Sequence, residues 1–161
     1  MKKTLIAAFA LMMAITLAAC STKPKDTAVD FDVKKVGEEW MDAHWPGGMA
    51  FPMEDEMFQN MYEELDLDKL NEYVGYTGTI LDANRIFIFE VKDEKDVEEF
   101  KKLAETMRED VIRSFENYLP APKVVAEASE VIVRGRYVLF VSLEDKEAVI
   151  EKFNQQFEAK K

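Results

Sequence analysis

The hydropathy pattern predicts an α+β domain: a four-stranded antiparallel sheet of two hairpins, with a long crossover helix and a C-terminal helix on the sheet, preceded by N-terminal helices. Three observations carry this reading. The stretches RIFIFEV (85–91) and RYVLFVSL (136–143) are apolar at both odd and even positions, the pattern of a strand buried on both faces. Between them Val97, Phe100, Ala104, Met107, Val111, Phe115 and Tyr118 recur every three or four residues, the period of a helix with one buried side. Turn chemistry stands at Asp82-Ala83-Asn84 and at Arg134-Gly135, where each hairpin must reverse.

Taken in order, the chain opens with MKKTLIAAFALMMAITLAAC. Two lysines, an apolar run of 13 residues from Leu5 to Leu17, and small residues before a cysteine have the layout of a secretory signal. The run is shorter than the roughly 20 residues needed to cross a bilayer of about 30 Å. Leu17, Ala18, Ala19 and Cys20 resemble a bacterial lipobox, in which the branched and small residues direct cleavage just before the cysteine. That resemblance implies that the Cys20 thiol is acylated and becomes the mature N-terminus. Residues 1–19 are then the signal peptide and 20–30 the lipidated cysteine with a flexible tether, since STKPKDTAVD is small, polar and without periodicity. Residues 31–161 form one globular domain, long enough to bury a core.

In that domain Val33, Val36, Trp40 and Ala43 have helical spacing, weakened by Gly37 and stopped at Pro46-Gly47-Gly48. Met57, Phe58, Met61, Tyr62 and Leu65 place a second helix over 54–64, with acids in its first turn. DLDKLNEY (66–73) is expected to add a short helical turn, and YTGTIL (76–81) to be the first strand. Asp93, with Asp96 three residues on, reads as the N-cap of the crossover helix, which is expected to run to Leu119 before Pro120. Strands over 130–133 and 136–143 follow, and then a helix burying Val149, Ile150, Phe153 and Phe157. With the two doubly apolar strands central, the sheet order is 1-2-4-3. Trp40, Trp45 and the methionine-rich segment are expected to cover the face that the long helix leaves open.

The composition limits the chemistry. The chain of 161 residues carries 21 basic and 32 acidic side chains, a net charge of −11. The signal removes Lys2 and Lys3 and no acid, leaving 19 against 32, or −13. Such a surface repels phosphate backbones, so no nucleic-acid partner is expected. It also gives no polybasic support at an anionic membrane, so the acyl chains on Cys20 must hold the protein there. With the only cysteine acylated, thiolate catalysis, disulfides and cysteine metal sites are all removed. His44, the only histidine, cannot assemble a zinc site alone. It is expected to be a loop residue packed on tryptophan. Neither Ser114, Ser129 nor Ser142 sits in a nucleophile-elbow motif that would make His44 its base. Asp66-Leu67-Asp68 opens like a calcium loop, but Asn71 and Thr77 occupy the places that need glycine and glutamate. No Gly-rich phosphate loop occurs, and no metal or cofactor is expected. The remaining candidates are Met49, Phe51 and Met53 in the loop WPGGMAFPMEDEM, which can either line an apolar groove for a peptide or small ligand or pack over the sheet.

Several stretches together, DLDKLNEY, ANRIFIFEVKDEKDVEEF, RSFENYLP and VIVRGRYVLFVSLED, resemble the domain of unknown function 4358 family over roughly residues 55–157. The resemblance implies a small bacterial lipoprotein, of a kind found largely in Gram-positive bacteria of the clostridial type, anchored at Cys20 with its domain outside the cytoplasm. It brings no catalytic residues, and the Trp40 to Trp45 stretch departs from the family pattern. The expectation is an exported protein held on the outer face of the cytoplasmic membrane, in the cell envelope. Its domain binds a protein, peptide or small ligand without catalysis. The alternative is an extracytoplasmic hydrolase or transferase working with carboxylates alone.

Overall fold

A computed structural model describes residues 29–158 apart from 46, 48, 64, 118 and 119. The signal, Cys20 and residues 21–28 lie outside the described residues. In chain order the elements are α1 (Val33–His44), β1 (Phe51–Pro52), α2 (Asp55–Met61), β2 (Leu70–Thr77), β3 (Arg85–Val91), α3 (Val97–Phe115), α4 (Pro120–Glu127), β4 (Glu130–Arg134), β5 (Tyr137–Ser142) and α5 (Lys146–Gln155). Short 3₁₀ turns at Leu67–Lys69 and Glu94–Asp96 lead into β2 and α3.

The five strands form one antiparallel sheet in the order β1-β2-β3-β5-β4. The two doubly apolar strands are neighbours at its centre, with Phe87 opposite Phe140 and Ile88 opposite Leu139. Their alternation divides the core in two, because successive side chains on a strand point to opposite faces. Phe87, Phe89, Val91, Val138 and Phe140 meet Phe58 of α2 and Phe100, Ala104, Met107, Val111 and Phe115 of α3. On the other face Ile86, Ile88, Leu139 and Val141 meet Val33 and Trp40 of α1, Trp45, and Val149 and Phe153 of α5. The tryptophans thus cover the open face as expected. Met53 does not, since it packs on the α3 side.

Five strands stand where four were expected. The added one, Phe51–Pro52, lies in the segment read as a loop and pairs with Thr77 and Tyr76 at the sheet edge, the position where a proline without an N–H is tolerated. The first hairpin strand is Leu70–Thr77, not 76–81, and the expected helical turn over 66–73 is limited to Leu67–Lys69. Pairing against β3, from Leu70 opposite Val91 to Thr77 opposite Arg85 with one bulge between Leu70 and Glu72, outweighs the weak local preference there. Residues 78–84 become the hairpin loop, where the Asp82 carboxylate accepts from Thr79 N, Thr79 Oγ1 and Asn84 N. The long helix ends at Phe115, short of Leu119, and Pro120 starts α4, which was not expected. Proline suits a helix's first turn, where its missing N–H has no partner to lose. Asp93 caps only the 3₁₀ turn, without a side-chain bond, and α3 starts at Val97.

One end of the sheet receives the N-terminal segment. Tyr137 Oη donates to the carbonyl of Val29 at 2.9 Å, and the Phe31 ring stacks on Tyr137 with centroids 4.5 Å apart. The α1 terminus is then held twice: Asp32 Oδ1 accepts from Lys35 N at 2.8 Å, and Glu72 Oε2 accepts from Val33 N at 2.7 Å. Five residues along β3, about 17 Å at the usual strand rise, the opposite end is marked by Arg85 beside Ser142.

Candidate binding site

The three residues singled out in the methionine-rich segment separate. Met49 and Phe51 are 65% and 45% exposed, whereas Met53 is 7% exposed and its N–H donates to Gly75 O at 2.8 Å. They do not form one groove. Met53 instead walls a cavity of about 120 Å³ that the other two do not reach, at the sheet end away from Val29.

Besides Met53, that cavity draws on five elements. The end of α2 supplies Met61 and the next residue Tyr62, β2 and β3 supply Thr77, Arg85 and Phe87, α3 supplies Met107, Asp110, Val111 and Ser114, and β5 supplies Phe140. Met61 and Tyr62 also border an open groove of about 510 Å³ against Leu65, Glu99, Lys102, Leu103 and Thr106. The expected buried stripe on α2 is only partly buried. Phe58 is fully enclosed, stacked near Tyr73, Phe87 and Phe89, while Met57 and Met61 face outward. A helix of seven residues closes one side over the sheet and leaves the other at the groove mouth.

The electrostatics of the cavity are set by Arg85 and Asp110. Arg85 is half-buried and donates only through Nη1, to Asn84 O at 2.6 Å and Asp82 O at 3.4 Å. It makes no ion pair among the described residues, although burial pulls its pKa below the usual arginine value. The nearby Asp82 carboxylate is engaged by its own loop. Asp110 is bridged from outside by the exposed Arg113 at 3.2 Å. Tyr62 senses both charges: burial pushes its pKa up to about 12, Asp110 adds to the rise and Arg85 opposes it. The hydroxyl is therefore a neutral donor at physiological pH.

Arg85, Tyr62 and Asp110 were not singled out from sequence. A signal existed, since Arg85 is the only basic residue between Lys69 and Lys92 and stands directly before a doubly buried strand. A base there must be half-buried.

The other candidates resolve as follows. His44 is the last residue of α1 and not a loop residue; its Nδ1 lies 2.8 Å from Asp145 Oδ2, and its Nε2 has no hydrogen-bond partner among the described residues. Ser142 is fully buried with its hydroxyl unpartnered among the described residues, so it neither bonds to His44 nor admits a substrate. Ser114 and Ser129 donate to the carbonyls of Asp110 and Ala126. Asp66 accepts from Asp68 N and caps the 3₁₀ turn. An acidic depression, lined by Glu130, Glu147, Glu151 and Glu158 among others, has Lys146 bridging Glu130 and Glu147. Among the described residues no cluster of three or more histidines, cysteines or acids is placed to hold a metal ion, and no helix is long and apolar enough to cross a membrane.

A sheet covered on both faces by helices, with a small cavity at one end lined by Arg85 and Asp110, defines an α+β domain. Residues 48–143 match the family model described as Domain of unknown function (DUF4358), and the chain belongs to that family. The match begins at Gly48 and ends at Leu143, so it contains every cavity residue but neither α1, the two tryptophans nor α5. No curated protein and no solved structure matches the chain.

Proposed function

We propose that this protein is a cell-envelope lipoprotein, exported and anchored through acyl chains on Cys20 to the outer face of the cytoplasmic membrane, whose domain binds a ligand without catalysis. The observation that carries the binding reading is the cavity of Met53, Met61, Tyr62, Arg85 and Asp110, which combines adaptable apolar walls with a few polar and charged groups, the usual make-up of a recognition site. Its position supports the anchored geometry. The N-terminal segment docks at Val29 and Phe31 on one sheet end, and the cavity opens at the other. A tether that leaves at Val29 would join the domain at the end away from the cavity, leaving the cavity accessible. In the acidic depression of Glu130, Glu147, Glu151 and Glu158, which a carboxylate-only enzyme could use, Lys146 already pairs with two of the acids.

The test is site-specific photocrosslinking on intact cells followed by mass spectrometry, with the photoreactive residue at Met61 or, as a control, at Glu39 on the exposed side of α1. Recurrent adducts at Met61 and none at Glu39 are expected. Equal labelling at both positions would remove the cavity end as the recognition surface.

A further inference from the structure

Two opposite charges face one small space without closing on each other. Arg85 and Asp110 line the same cavity of about 120 Å³, yet no ion pair joins them. The unused part of the Arg85 guanidinium and the Tyr62 hydroxyl are donors without acceptors among the described residues. A guanidinium fork matches a carboxylate, with two parallel bonds fixing its plane. Arg85 has carbonyl acceptors but no carboxylate partner among the described residues, and Asp110 is matched only by the exposed Arg113, so a ligand that meets both gains charge pairing that the protein does not make across the cavity. A simple anion would satisfy Arg85 and be repelled by Asp110; a simple cation would do the reverse.

We propose that the cavity binds a free amino acid with a small apolar side chain, its carboxylate on Arg85 and the Tyr62 hydroxyl and its ammonium group facing Asp110. The volume of about 120 Å³ suits a small side chain, and Met53, Met107, Phe87 and Phe140 supply the apolar wall. Asp82 does not compete for the ammonium group, because its carboxylate is held by Thr79 and Asn84. Arg113, on the solvent side of Asp110, moderates that charge without entering the cavity lining. The neutral state of Tyr62 at physiological pH keeps its hydroxyl a donor to the carboxylate. This inference rests on the binding reading above and adds the ligand class.

Calorimetric titration of the full-length purified protein with each free L-amino acid tests it, with propionate and ethylamine as alanine lacking one charge or the other. The expected result is that at least one small apolar amino acid binds about tenfold or more tightly than propionate or ethylamine. Arg85→Lys and Asp110→Asn, both checked for a native circular dichroism spectrum, should each weaken that binding by about tenfold or more. Asp110 is half exposed, so its variant keeps the fold even if Arg85→Lys does not. Propionate binding as tightly as the amino acid, unchanged affinity in Asp110→Asn, or no binding of any amino acid would each overturn the proposal. If amino acids fail while Met61 still crosslinks in cells, the zwitterion falls and the binding reading stands; loss of both removes the two together.

Discussion

Gly37 of α1 lies so close to Val74 of β2 that a Cβ on the glycine would sit 2.4 Å from Val74 Cγ1. The helix therefore contains a glycine because the sheet approaches it, not because the helix is weak. Two effects oppose each other in Gly37→Ala. Helix propensity favours alanine by about 1 kcal/mol, and overpacking a buried contact costs about 1 to 3 kcal/mol. Val74 is β-branched and has little freedom to rotate aside, so overpacking wins. Gly37→Ala should lower the urea midpoint, and adding Val74→Ala should restore part of the loss. A double-mutant cycle measures the coupling; additive effects would show that the two residues do not interact.

Phe58 is the one fully buried side chain of α2, with ring centroids 5.5 Å from Tyr73 and 5.9 Å from both Phe87 and Phe89. A seven-residue helix has little stability of its own, so this ring fastens it to the sheet. Phe58→Ala should cost about 3 to 5 kcal/mol by chemical denaturation. It should also increase proteolytic cleavage near Met61. A loss under about 1 kcal/mol would mean that α2 is held elsewhere.

The central strands, the sheet order and the two faces were legible because burial on both sides leaves apolar residues at both parities, as in RIFIFEV. The edge was not legible. Phe51–Pro52 is a strand only because Tyr76 and Thr77 are beside it, and local sequence carries no sign of that neighbour. DLDKLNEY misled for the same reason: the partners of its paired residues lie 16 to 21 residues away, in 85–91. The cavity was half legible. Met53 came from a composition argument that also named Met49 and Phe51, which lie outside. Arg85 and Asp110 meet only because β3 and α3 pack together, and 32 acids offer no means of choosing Asp110 from sequence.

Alkaline pH should loosen the domain. Burial raises the pKa of Tyr62 and of Tyr137 up to about 12, with Asp110 and Glu90 adding to the respective shifts, and burial followed by the hydrogen bond to Asp55 raises that of Tyr73. A folded pKa above the unfolded value of 10 means that the folded state holds these protons longer. Their contribution to stability is complete below pH 10 and is lost as pH rises toward about 12. Tyrosinate absorbance and circular dichroism should therefore change together in that window. Tyr62→Phe should leave one fewer tyrosine in the late phase. Ionisation completed near pH 10 with the fold intact would show that these hydroxyls are freely solvated.

The anchor is tested at the one cysteine. Acyl chains on Cys20 would be the whole of the membrane attachment, since a mature chain of −13 draws no help from anionic lipid. A partly basic chain would leave a residue of peripheral binding after the lipid is lost; this one should leave none. Cys20→Ala should therefore appear either as unprocessed precursor or wholly in the medium, with no intermediate, salt-sensitive membrane fraction. Fractionation with and without a salt wash separates these outcomes. If Cys20→Ala stayed processed and membrane-bound like wild type, the lipid anchor would be wrong, and attachment would have to come from the domain itself.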